Sequence, residues 1–211
     1  MVYNSSSFEH KLWYSYIADE AYSFPFVDEA TKVVRHYPLN CIDYYSVGLS
    51  ESFTYNNLWW WNSYNNAVCY YIRKRATIPD AIPTIDKVSG NFTSNNDFML
   101  NKSKTVMLNL GFYYEYPYVQ SYSTVSSVWY MYAGVKFRLM NDNLMLSLTG
   151  NDLFKTNHSK ATVVSNGIRY VYDNLPDSRN IRLSFSYKFG NKKIWVEKRN
   201  QSNEEVQNRV K

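Results

Sequence analysis

The side chains of this sequence best equipped to ligate a metal or attack a bond are few. They are His10, His36 and His158, Cys41 and Cys69, Asp152 and Asp177, and the hydroxyls of Ser184 and Ser186. Nothing in their spacing gathers them into a catalytic set. The histidines are far apart and read as ordinary surface residues. The cysteines lack metal-type spacing. No Gly-x-Ser-x-Gly elbow surrounds either serine. Asp152 and Asp177 sit at strand ends, where a short carboxylate bonding nearby backbone explains them. The expectation is no enzyme activity, no cofactor and no metal.

The cysteines have one further option. If 55–57 is the turn between the second and third strands, Cys41 faces Tyr71 and Cys69 is a diagonal neighbour. A small register shift or bulge would then let Cys41 and Cys69 form a disulfide near one rim of the sheet.

Those residues need strands to position them, and the strands have two unlike faces. In the stretch from Ile181 to Phe189, the residues Ile181, Leu183, Phe185, Tyr187 and Phe189 alternate with Arg182, Ser184, Ser186 and Lys188. A period of two describes a strand with hydrocarbon on one side and water on the other. Residues 126–140 repeat the pattern, with Trp129, Met131, Ala133, Val135, Phe137 and Leu139 opposing Tyr130, Tyr132, Gly134, Lys136 and Arg138. Lysine and arginine are expensive toward lipid. Tyr130, Tyr132, Lys136, Arg138, Arg182 and Lys188 are therefore expected to face a lumen.

Composition fits that division. Of the 211 residues 18% are aromatic, yet mean hydropathy is −0.47. Rings with polar tips suit strands and the boundary between membrane and water. No run approaches the ~20 apolar residues of a spanning helix, but a spanning strand needs only ~9–11 residues with every second one apolar. The net charge of +5 comes from scattered basic residues, which argues against a nucleic-acid surface.

Eight spanning strands are expected, at about 12–22, 42–54, 58–74, 91–100, 105–118, 126–140, 144–151 and 181–189. Glu51 is a defect in the apolar face of the second; a charge there costs little near a membrane edge and a few kcal/mol at the midplane. Short turns at 55–57, 101–104 and 141–143 alternate with long connections, as periplasmic turns and outer loops do in a transmembrane barrel. In the long connections, 33–37 is expected in an outer hairpin, and Val163 with 168–172 in a small hairpin outside the membrane. Ligand contacts would come from 23–40, 75–90, 120–124 and 153–177. The domain reading is a barrel portion over 1–190 and a charged periplasmic tail over 191–211. The fold class is all-β, an antiparallel transmembrane β-barrel segment.

The end of the chain resembles a known family. Asn151, Asp152 and Phe154, then Arg179, then Tyr187, Phe189 and Gly190 before a Lys/Arg/Glu-rich tail, resemble the C-terminus of TonB-dependent receptor barrels. More narrowly they resemble the outer membrane protein beta-barrel family of Bacteroidota. The resemblance implies an outer-membrane location, with membrane lipid and the barrel assembly machinery as partners. It also implies a plug domain and about fourteen further strands, since plugged transporters have ~22. The first ten residues do not resemble a secretory signal. The expectation is a C-terminal fragment of a receptor for nutrient or chelate uptake. A self-contained eight-stranded structural or adhesive barrel is the alternative, and a soluble all-β binding protein a third.

Overall fold

Alternation over most of the chain produces strands and no helix among the described residues. The computed structural model describes residues 6–28, 30–31, 33–77, 84–120, 122–165 and 168–189. Gly190 and the tail 191–211 lie outside them. The strands are β1 (Ser7–Val27), β2 (Val34–Leu58), β3 (Trp61–Ala76), β4 (Ile85–Met99), β5 (Val106–Glu115), β6 (Tyr118–Gln120), β7 (Ser123–Val125), β8 (Val128–Leu139), β9 (Leu144–Asn151), β10 (Ser159–Ser165), β11 (Ile168–Asn174) and β12 (Asn180–Tyr187). Eight form an antiparallel meander in the order β1-β2-β3-β4-β5-β8-β9-β12. The other four form a second sheet, β11-β10-β7-β6. The expected small hairpin is β10–β11, and the 120–124 connection carries the hairpin β6–β7.

Short turns occupy one end of the main sheet. The β4–β5 turn is tied by Asn101, whose Oδ1 accepts the backbone N–H groups of Thr105 and Val106. In the β8–β9 turn Met140, Asn141 and Asp142 all take left-handed φ, between 52° and 67°. The long connections, including those that carry the second sheet, lie at the other end. All eight expected spanning strands are present.

Several boundaries differ from expectation. β1 and β2 do not stop at the prolines: Pro25 pairs with His36, and Pro38 with Ser23. They extend as a hairpin above their neighbours because two bulges carry them through a break in phase. One extra residue enters β1 between Ile17 and Glu20, where Asp19 has φ 54°, and one enters β2 at Cys41. β4 begins at Ile85, inside what reads as a loop. The β2–β3 turn falls at Trp59 and Trp60, because the 56–57 asparagine pair forms a bulge instead of a turn.

The buried core is small. Cys41, Ile42 and Tyr122 form its centre, with Tyr22, Leu39, Ala76 and Ile85 packed around them. It joins the outer hairpin to the β6–β7 connection. Much of the apolar area on the main sheet is uncovered: Ile181, Leu183 and Phe185 are 81%, 75% and 68% exposed.

Candidate functional site

One face of the main sheet is polar through every strand. Opposite β8 on that face, Tyr113 stacks on Tyr130 with ring centroids 5.1 Å apart. Tyr132 donates its hydroxyl to Asn95. Lys136 lies between Met107 and Ser147, and Arg138 beside Met145, with its guanidinium 3.4 Å from the Met107 sulfur. Arg182 pairs with Thr149. The backbone N–H of Lys188 donates to the Asn143 carbonyl at 2.8 Å. All six residues expected on a lumen wall thus share one face. Two hollows open on it: one of about 320 Å³ beside Lys136, and one of about 210 Å³ among Arg138, Met145, Ser186 and Lys188.

The sequence signature near the end of the chain forms a clamp. Asp152 directly follows β9, with φ 45°, and is 2% exposed. Its Oδ1 accepts the N–H groups of Thr156 and Asn157, and its Oδ2 accepts the Ser178 hydroxyl. Burial works against ionisation. The hydrogen bonds from Ser178, Thr156 and Asn157, together with the Arg179 charge, outweigh it and hold the carboxyl below its usual range. Asn151 bonds Asn180 at 2.8 Å across the β9–β12 pair. Phe154 packs on Trp129 at 5.9 Å. Asn151 and Asp152 therefore fasten the start of β12 to the end of β9, and Phe154 ties the same turn to β8. At the other end of β12, Tyr187 meets Phe189 edge to face, and Phe189 is 88% exposed.

The cysteines do not meet. Both thiols are free, Cys41 buried and Cys69 exposed. Because the turn lies at 59–60, Cys69 pairs with Leu49. Cys41 is eight residues farther along β2, about 26 Å at ~3.3 Å per residue, which no local shift can close. The expected disulfide is thus corrected by register.

On the apolar face, β3 and β4 depart from hydrocarbon character. A chain of hydrogen bonds runs from Trp61 Nε1 to Asn96, from Asn96 to Ser94, from Ser94 to Asn65, and from Asn65 to Ser63. Polar groups in such a setting need partners, and these supply one another. Glu51 Oε2 lies 2.5 Å from His10 Nδ1, a close contact without hydrogen-bond geometry. His158 meets Asp173 at 3.1 Å on the second sheet.

Sequence reasoning missed a hollow of about 600 Å³ on the polar face beneath the outer hairpin. Trp13, Tyr44, Tyr70, Lys74 and Glu20 line it, and Val119 and Gln120 of β6 border it. Lys74 is 7% exposed; its Nζ lies 3.2 Å from Glu20 and 5.1 Å from the centre of the Tyr44 ring. The run Tyr70, Ile72 and Lys74 on one phase of β3 was its only sequence signal.

A family model described as outer membrane protein beta-barrel family matches residues 1–187. No curated protein and no solved structure matches the chain.

Proposed function

The chain belongs to the outer membrane protein beta-barrel family, and on that premise we propose that it is the C-terminal portion of a larger importer resembling the TonB-dependent receptors. The remaining strands would complete the wall, and a plug would fill the lumen against Tyr130, Tyr132, Lys136 and Arg138. The parent protein would take up a nutrient or metal chelate.

One observation carries the reading. The two edge strands, β1 and β12, are not paired with one another, and they are 21 and 8 residues long. Lipid cannot satisfy an open edge, so each must find a strand. Further strands on both sides satisfy both edges without forcing so unequal a pair together.

The test is the size of the native protein. Antibody against a 153–177 peptide is used to probe isolated outer membranes. A heat-modifiable band several times larger than 24.9 kDa is the expected result. A heat-modifiable band at 24.9 kDa overturns the receptor reading and leaves an eight-stranded barrel, which is enough strands to close with an interior filled by side chains.

A further inference from the structure

The hollow of about 600 Å³ has a floor of three strands in register. Trp13, Gly48 and Tyr70 form one transverse row across β1, β2 and β3. Ser15, Ser46 and Ile72 form the next, and Ile17, Tyr44 and Lys74 the third. The indole of Trp13 lies over Gly48 so closely that a Cβ there would fall 2.2 Å from the ring. Glycine leaves room for a ring laid across the floor instead of standing up from it. Glu20 reaches Lys74 because the bulge at Asp19 keeps it on the same face as Ile17. Gln120, on the hairpin that covers this end, adds an amide at the rim.

From this arrangement we infer that the hollow binds a neutral saccharide, a short chain of polyhydroxylated rings. Three features select that chemistry. Aromatic faces at Trp13 and Tyr70 suit the flat C–H surface of a sugar ring, because the faces of π systems are electron-rich. Hydroxyls of Ser15 and Ser46, the Gln120 amide and the Lys74–Glu20 pair offer donors and acceptors to ring hydroxyls. The charges of Lys74 and Glu20 cancel in direct contact, so a charged ligand would have to break the pair to be matched, while a neutral one leaves it intact. The volume of about 600 Å³ falls in the ~300–1,000 Å³ range of small-molecule sites. The site lies wholly within this chain, so the inference goes beyond the receptor reading and stands or falls separately from it.

The protein is purified from outer membranes in detergent at its native size and titrated by calorimetry with maltose, cellobiose, lactose and N,N′-diacetylchitobiose. Glucuronate and glucosamine serve as charged probes. At least one neutral disaccharide is expected to bind with a Kd in the millimolar range or below, and more tightly than either charged sugar. Tyr70→Leu and Gln120→Ala should each weaken binding, the first by about tenfold. His158→Ala, on the second sheet, should leave it unchanged. Gln120→Ala alters only the rim, so its effect is read on an intact floor. The inference is overturned if none of the four disaccharides binds, if a charged sugar binds more tightly, or if both variants bind like the parent chain. The native size of the protein has no bearing on any of these outcomes.

Discussion

Ser178 donates its hydroxyl to Asp152 Oδ2 over 2.6 Å, joining the residue after β9 to the approach to β12. The same carboxylate holds two backbone N–H groups with its other oxygen. Replacing it by an amide keeps the size but loses the charge and part of the acceptor set. Asp152→Asn is expected to cost ~1.5–3 kcal/mol, the range for hydrogen bonds to charged groups. The loss should appear as a lower urea midpoint for the heat-modifiable band. The acid limb should change too. A carboxyl whose folded pKa lies below its unfolded value stabilises the fold above the unfolded pKa. That contribution disappears as pH falls through the depressed folded value. Asp152→Asn should therefore flatten the acid side of the stability profile and leave its neutral region lower but parallel.

Gly90 marks a place where two strands leave no room. A Cβ there would sit 2.0 Å from the Val68 carbonyl oxygen, a backbone atom that cannot swing aside. Gly90→Ala should cost ~1–3 kcal/mol by forcing the β3–β4 pair apart. Equal stability of Gly90→Ala and the parent in the urea titration would contradict the close approach.

The two faces make opposite demands at adjacent positions of β12. Leu183 belongs to the exposed apolar row and Ser184 to the polar one. Arginine on the lipid face costs ~2–4 kcal/mol at the midplane and much less near the edges. Leu183→Arg should sharply reduce the folded band in bilayers, while Ser184→Arg should fold nearly as well as the parent. The reverse order would mean the faces are exchanged.

The thiols give the simplest chemical check of register. The denatured, unreduced chain should titrate as two free thiols. In the folded chain Cys69 should react with a membrane-permeant maleimide, and Cys41 should stay protected. Protection of both, or a covalent link between them, would return the β2–β3 turn to 55–57.

Where the alternation ran unbroken, the sequence was readable to the residue. β9 spans the expected 144–151, and β8 and β12 fall within a few positions of expectation. Outside such runs the reading failed for identifiable reasons. The bulges at Asp19 and Cys41 invert the phase of β1 and β2, so the strands on either side of the hairpin expected at 33–37 read as loop. The asparagines before Trp59 carry turn chemistry but sit in a bulge, which displaced the turn and brought a false disulfide with it. The polar wall was legible because it is a property of single strands. The hollow around Trp13 was not, since its floor depends on the register of three strands and its rim on a hairpin far along the chain.

The two bulges also tie distant stretches of the gene together. Each adds one residue to its strand, and the pairing above them, such as Tyr22 with Leu39, has the same offset as the pairing below. A one-codon deletion at Asp19 alone would slide every pair of the outer hairpin by one step, or turn its faces over. A matching deletion at Cys41 would restore the offset. Length changes in this hairpin should thus be tolerated in pairs, one on each arm. A combinatorial library with single and double deletions at the two positions would show that pairing as rescue.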